Sequence, residues 1–333
     1  MSIAFHSLAD HELLANAAAW PEMATLRQIN AANLRSLTAE HGIDFATALL
    51  YDRISKVTSA EGRISLFADQ PSGLFEDRPA AKRPLIVIVP GAFHRETDKF
   101  DASGRAIIQS ARSLSLETAS IPLRSFGTLA ENAEIILNWL AEQTRRPMIL
   151  VSQSKGGADL KHALSLSHDD AVWENVEAWI DLSGICEGTP LADWLVERWY
   201  RSVLVRAFFA WHNYDFDVVH ELRSGPGRSL SRPLILPPHT RALHVLGFPR
   251  GRHLSGNLAR RGHRRLAQHG PNDGSGIVLL DAAQRSGIIL PVWGVDHFLR
   301  NDRVNPASIF KASLAFLKRT SVSEEAQYRE AAR

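Results

Sequence analysis

The chain has 333 residues, 45% of them hydrophobic and 22% charged, which is ordinary for a globular protein. Its formal net charge of +2 argues neither for nor against a polyanionic partner. The single cysteine, Cys186, excludes an intrachain disulfide and a cysteine-based metal cluster, and so favours a reducing compartment. The N-terminus lacks a signal-peptide pattern, and no stretch reaches the roughly 18 apolar residues of a membrane span. We therefore expect a cytoplasmic protein without a transmembrane segment.

Residues 1–60 are predicted to form a helical segment packed on the main domain. Asp10 is a plausible cap for a helix over 11–19, and Pro21 stands where a second helix could begin. A third, amphipathic helix is expected over 44–57. A dimer interface and a separate binding module remain alternatives for this segment, and the sequence leaves the oligomeric state open.

Strands and helices then alternate in the order expected of an α/β protein with a doubly wound, mostly parallel sheet. Strands are predicted over 63–67, 85–89, 115–123, 148–151, 176–183 and 241–248, with a last apolar strand from Ile288. Helices are predicted over 129–143, from Ala158 onward and over 305–318, and a charged tail over 321–333 is expected to fray.

The stretch around Ser154 is the first candidate for chemistry. Small residues surround this serine in Ser152-Gln-Ser-Lys-Gly-Gly157, between a buried strand and a helix. A serine held on such a tight strand-to-helix turn has strained backbone geometry, which requires small neighbours. Helix N–H groups at the turn would also stabilise a developing anion.

This run resembles the nucleophile elbow, G-x-S-x-G, of the α/β-hydrolase superfamily and of its serine esterases and lipases. The first glycine of the pattern is replaced here by Ser152. The resemblance implies that Ser154 is the nucleophile. A plain strand-to-helix turn without a catalytic role is the alternative.

The turn Pro90-Gly-Ala-Phe93 follows the strand over 85–89 and resembles the oxyanion turn of the same family. By position, the resemblance assigns the oxyanion hole to the backbone N–H groups of Ala92 and Lys155, with Phe93 as the fallback. His94 near the same turn could contact substrate or be an exposed loop histidine.

A serine nucleophile needs a histidine base and a carboxylate that orients it, and in this fold they follow in the order Ser, acid, His. His297 follows the last apolar strand and fits the base. Asp273, in an Asn-Asp-Gly turn 24 residues earlier, resembles the acid of many lipases. Asp281 and then Asp181 are the alternative acids, while Asp296 is expected to point away.

An aromatic-rich segment over 190–232 resembles the lid that lipases insert into a core, here 61–189 and 233–320. Its aromatic residues could line an acyl pocket or form the core of the insertion. The residues proposed to contact substrate are Trp194, Trp211, Phe93 and Phe298.

A basic stretch over 250–265 contains no acidic residue. Its arginines are Arg250, Arg252, Arg260, Arg261, Arg264 and Arg265. Such a run is usually a solvated face, but it could contact an anionic group on a substrate or a carrier protein. No interleaved aromatic pattern favours nucleic acid as a partner.

The resemblance therefore implies a serine hydrolase that cleaves a small-molecule or lipid-like carboxylic ester without a metal or organic cofactor. Amide or thioester hydrolysis and acyl transfer are alternatives on the same triad. A non-catalytic binding protein with this fold is an alternative of another class.

Overall fold

A computed structural model describes residues 8–59, 75–76, 78–79, 82–143, 146–167 and 170–319. The strand predicted over 63–67 and the tail over 321–333 lie outside these residues. Its strands are β1 Leu85–Val89, β2 Thr118–Ser120, β3 Met148–Gln153, β4 Val176–Leu182, β5 Arg241–Phe248 and β6 Ile288–Trp293.

The six strands form one sheet in the order β2-β1-β3-β4-β5-β6, and every neighbouring pair is parallel. The chain runs outward from β1 to β2 and then returns to the other side of β1 for β3. The direction of winding therefore reverses between β1 and β3. In open α/β sheets, the crevice at the carboxyl ends of two such strands is the usual ligand site. The predicted doubly wound parallel sheet is confirmed.

The helices connect and cover these strands. They are α1 Asp10–Ala19, α2 Ala31–His41, α3 Ile43–Ser59, α4 Arg105–Ser113, α5 Leu129–Glu142, α6 Lys155–Leu166, α7 Asp170–Trp173, α8 Pro190–Glu197, α9 Trp199–Trp211, α10 Asp217–Glu221, α11 Gly256–Leu266, α12 Leu279–Ala282 and α13 Pro306–Arg319. None of these described helices is both long enough and apolar enough to cross a bilayer.

Both faces of the sheet are buried, because alternate side chains of each strand pack on opposite faces. In β1, Ile86 and Ile88 pack in a cluster with α4 and α13, whereas Val87 and Val89 pack with α5 and α6. Because successive side chains of a strand point to opposite faces, an uninterrupted apolar run needs a helical layer on each side.

The helices α1 to α3 cover the sheet over β5 and β6. Their buried residues form one cluster with Leu246, Phe248 and Ile289. The hydroxyl of Thr58 at the end of α3 donates a hydrogen bond to the carbonyl of Ile289 at 2.8 Å. Helix α3 therefore packs against the sheet, and α1 and α2 pack on α3.

Two details of the predicted N-terminal helices are wrong. Ala9 occupies the position before α1, so Asp10 is its first residue, and its carboxylate pairs with Arg250 instead of capping the helix. No helix begins at Pro21. The second helix begins at Ala31, because the Asn30 side chain accepts backbone N–H bonds of 2.9 and 3.0 Å there.

Candidate active site

Ser154 lies at the junction of β3 and α6 in strained backbone geometry. Its φ of 50° and ψ of −117° are values that residues with a side chain rarely adopt. A Cβ atom added to Gly156 would lie 2.4 Å from the carbonyl oxygen of Val89, and one at Gly91 would lie 2.8 Å from that of Gln153. Glycine at both positions lets the turn after β1 approach the Ser154 turn closely.

Ser152, which replaces the first glycine of the family pattern, is fully buried beneath the nucleophile turn. Its hydroxyl donates to Asp181 at 2.7 Å and accepts from the indole N–H of Trp179 at 2.8 Å. Asp181 also contacts Arg285 at 2.9 Å and His244 at 3.0 Å. The serine therefore belongs to a buried polar network that supports the end of β3.

His297 connects Ser154 to Asp273. Its Nε2 atom lies 2.9 Å from the Ser154 Oγ atom, and its Nδ1 atom lies 2.5 Å from Asp273 Oδ2. Asp273 Oδ1 accepts hydrogen bonds of 2.9–3.0 Å from three successive backbone N–H groups, those of residues 275–277. With Nδ1 as the donor to this fixed carboxylate, Nε2 faces the serine hydroxyl as an acceptor.

The buried histidine and carboxylate stabilise each other's charged forms. Burial alone would lower the pKa of His297, but the charge and hydrogen bond of Asp273 outweigh it and raise that pKa above 6.5. Burial would raise the pKa of Asp273, but His297 and the backbone N–H groups lower it below 3.8. The site therefore favours an ionised carboxylate and holds a proton on the imidazole readily.

The other acids considered from the sequence lie elsewhere. Asp281 is exposed on α12. Asp181 belongs to the network under Ser152, where its contacts with His244 and Arg285 lower its pKa against the raising effect of burial. Asp296 accepts backbone hydrogen bonds from Ser255 and Phe298, as expected of a residue that points away from His297. The structure thus brings Asp273 to the histidine.

The two candidate oxyanion donors stand at the facing ends of β1 and β3. Ala92 lines the cavity above Ser154, and Lys155 is the first residue of α6. In the part of the chain that the structure describes, neither backbone N–H donates a hydrogen bond to the protein. Both are therefore available to an anion that forms next to Ser154.

The side chain of Lys155 points away from this role and into the protein. Its ammonium group is buried and donates to the Asp159 carboxylate at 2.7 Å. Burial raises the pKa of Asp159 to about 6, even though Lys155 and the Asn132 amide lower it. The pair lies within the first turns of α6 and fixes them beside the nucleophile.

His94 supports the turn after β1. Its Nδ1 atom lies 2.8 Å from the Gly91 carbonyl oxygen and 3.2 Å from the Ser125 hydroxyl. It does not line the cavity above Ser154. The sequence left open whether His94 contacts substrate or is an exposed loop histidine. These hydrogen bonds do not support a contact with substrate.

A cavity of about 440 Å³ opens above Ser154 and His297. Phe93, Trp194 and Phe298, three of the residues proposed from the sequence to contact substrate, line it. Trp211 does not: it is 86% exposed at the end of α9, because that helix turns this residue toward solvent. Of the three helices within 190–232, α8 supplies lining side chains.

Several lining residues were missed by the sequence reasoning. They are Phe100, Leu182, Ile185, Leu191, Leu195, Leu258 and Leu299. Arg265, which was considered from the sequence as a possible contact for an anionic group, also lines the cavity. Helical spacing was an available signal for two groups of them. Leu191, Trp194 and Leu195 share one face of α8, while Leu258, Gly262 and Arg265 share one face of α11.

Ser154, Asp273 and His297 follow one another in that order along the chain, after β3, β5 and β6. The serine stands on a strained turn between a parallel strand and a helix, where the winding of the sheet reverses. Together these features define one architecture. The chain has the α/β-hydrolase fold.

Comparisons with known proteins find solved structures that resemble this chain. No protein-family model matches the chain, and no curated protein does. Among solved structures, a metagenomic carboxyl esterase is 21% identical over 74% of this chain and 74% of its own, with a TM-score of 0.48. A mature lipase from Bacillus licheniformis is 22% identical over 71% and 89%, also at 0.48. A phospholipase from Legionella pneumophila is 12% identical over 74% and 64%, again at 0.48.

Proposed function

We propose that this protein is a serine hydrolase that cleaves a carboxylic ester through Ser154, His297 and Asp273. The observation that carries the proposal is the 2.9 Å contact between His297 Nε2 and Ser154 Oγ, at the floor of an accessible apolar cavity. A serine hydroxyl is a weak nucleophile near neutral pH, and an adjacent imidazole base is what activates it.

The reaction begins when Ser154 Oγ attacks the ester carbonyl and its proton passes to His297 Nε2. Asp273 holds the ring by Nδ1 and stabilises the imidazolium that forms. The carbonyl oxygen becomes negatively charged and accepts the N–H groups of Ala92 and Lys155. In oxyanion holes, one such donor contributes about 3–4 kcal/mol.

Collapse of the tetrahedral intermediate releases the alcohol, which takes the proton from His297. The acyl group then remains on Ser154. A water molecule attacks it while His297 again accepts a proton, and the second intermediate releases the acid and restores the serine. Because the cavity walls are mostly aromatic and aliphatic, we propose an ester with an apolar acyl or alcohol part.

The test is labelling with a fluorophosphonate, followed by an ester panel of graded chain length with Ser154→Ala as the blank. We expect stoichiometric modification of Ser154, and turnover that falls by about 10⁴- to 10⁶-fold in the variant. Thioester and amide counterparts in the panel test the alternative acyl substrates. A folded chain that stays unlabelled and hydrolyses nothing would instead favour the non-catalytic binding protein.

A further inference from the structure

Among the described residues that line the cavity above Ser154, Arg265 has the one permanently charged side chain. It extends from the face of α11 that also presents Leu258 and Gly262 to this cavity. The other walls are mainly aliphatic and aromatic. A neutral ester does not need a cation on such a wall.

The guanidinium group of Arg265 lies over the indole ring of Trp194, with its central carbon 3.9 Å from the ring centroid. Arg201 lies 4.2 Å from the same centroid, and one face of the ring has no room for two guanidinium groups at these distances. Trp194 is therefore held between the two arginines. This stacking fixes Arg265 at the edge of the cavity.

The charges of the two arginines are compensated differently. Arg201 forms an ion pair with Glu197 at 3.2 Å. Arg265 has no carboxylate within ion-pair distance in the described ranges. In the described part of the chain its N–H groups donate no hydrogen bond to another residue, so they remain available. These form the fork that matches a carboxylate or phosphate.

Resting on the proposed hydrolase function, we propose that Arg265 selects esters whose apolar chain carries a negatively charged end. The oxyanion, a carboxylate or a phosphate, binds the guanidinium while the scissile carbonyl lies at Ser154. Arg265 thereby determines specificity, and it takes no part in the bond-breaking steps.

The neighbouring arginines provide a matched control. Arg260, Arg261 and Arg264 lie on α11 and line a separate cavity of about 500 Å³ on another side of the helix. They add positive potential near the site without reaching the cavity above Ser154. Arg264 is exposed like Arg265 and is adjacent to it in the sequence.

The experiment compares two substrates: p-nitrophenyl octanoate and the mono-p-nitrophenyl ester of octanedioic acid. They differ in that a terminal methyl group is replaced by a carboxylate. We expect Arg265→Gln to lower the ratio of kcat/KM for the anionic ester to that for the neutral ester by about 10- to 100-fold. Added salt should weaken the preference in the unmodified protein, because the guanidinium is exposed. Arg264→Gln should leave the ratio within about twofold.

Arg265→Lys keeps the charge and loses the fork, so an intermediate ratio is expected. A third ester, which ends in a phosphate, is compared with the carboxylate ester. The oxyanion whose ester loses more kcat/KM in Arg265→Gln is the preferred one. Equal ratios for the unmodified protein, Arg265→Gln and Arg264→Gln would overturn the proposal, while Ser154-dependent turnover of the neutral ester would leave the hydrolase function intact.

Binding to Ser154→Ala tests Arg265 without turnover. The same two esters are titrated into this variant with and without Arg265→Gln. If Arg265→Gln weakens binding of the anionic ester and not of the neutral ester, the assignment is supported even if the chain hydrolyses neither compound. Equal affinities in all four titrations would reject it.

Discussion

The His297 imidazole must be neutral to take the proton of Ser154. Asp273 raises the pKa of His297 above 6.5, so this neutral form is lost as the pH falls through that raised value. We expect kcat/KM for a neutral ester to be maximal on the alkaline side and to decline toward acid, with a midpoint above 6.5. Asp273→Asn removes the raising influence and leaves burial, so the midpoint should move to lower pH.

The same substitution should lower kcat by about 10⁴-fold, because an amide no longer holds the Nδ1–H tautomer that leaves Nε2 free. Asp281→Asn is the control, since Asp281 is exposed and does not contact His297. The pH dependence of kcat/KM in the three proteins gives the measurement. A comparable loss in Asp281→Asn, or an unmoved midpoint in Asp273→Asn, would contradict the assignment of the acid.

Single residues of the site differ in how far the sequence could identify them. The proximity of Ser154, Asp273 and His297 was predictable, because fold topology fixes their order and places each after a strand. The role of Ser152 was not, because its partners Asp181 and Trp179 lie on a different strand. The sequence shows only that a serine replaces the glycine, whereas the structure gives its hydroxyl two hydrogen bonds.

At the scale of elements, the close approach of α6 to the turn after β1 depends on Gly156. A methyl group there would meet the backbone of Val89 at 2.4 Å, and backbone cannot move aside as a flexible side chain can. We expect Gly156→Ala to cost about 1–3 kcal/mol of stability. Because Ser154 would be displaced, the kcat/KM of the variant should also fall by about 10²-fold.

Gly251→Ala is the matched control for this substitution. A Cβ atom at Gly251 meets no atom within 4 Å, so stability and activity should stay unchanged. Urea denaturation and ester kinetics on both variants provide the measurement. If Gly156→Ala matches the unmodified protein in both stability and activity, the turn is less tightly packed than these distances indicate.

Buried strands were predictable from their apolar runs, but helix boundaries and the direction of helix faces were not. Both Pro21 and Asn30 are acceptable helix starts, and packing against α3 selects the second. Trp194 and Trp211 were equivalent as aromatic candidates. One faces the cavity and the other faces solvent, because only tertiary packing decides which side of each helix is covered.

At the scale of the whole molecule, Arg250 joins the N-terminal helices to the core. It is 1% exposed and lies two residues after the end of β5. Its guanidinium donates to Asp44 of α3 at 3.1 Å, to Asp10 of α1 at 3.1 Å and to the carbonyl of Leu8 at 2.7 Å. One buried cation thus ties three points of the N-terminal segment to the carboxyl end of β5.

Arg250→Met should therefore destabilise the protein by about 1–3 kcal/mol, because Asp44 loses its cation and the Leu8 carbonyl its donor, whereas Asp10 keeps its ion pair with Arg252. Arg264→Met removes an exposed arginine from the same basic stretch and should change stability by less than about 0.5 kcal/mol. The free energies of unfolding in urea give the comparison. Near-equal values for the two variants would mean that apolar packing alone, through Leu246, Phe248 and Ile289, attaches these helices to the sheet.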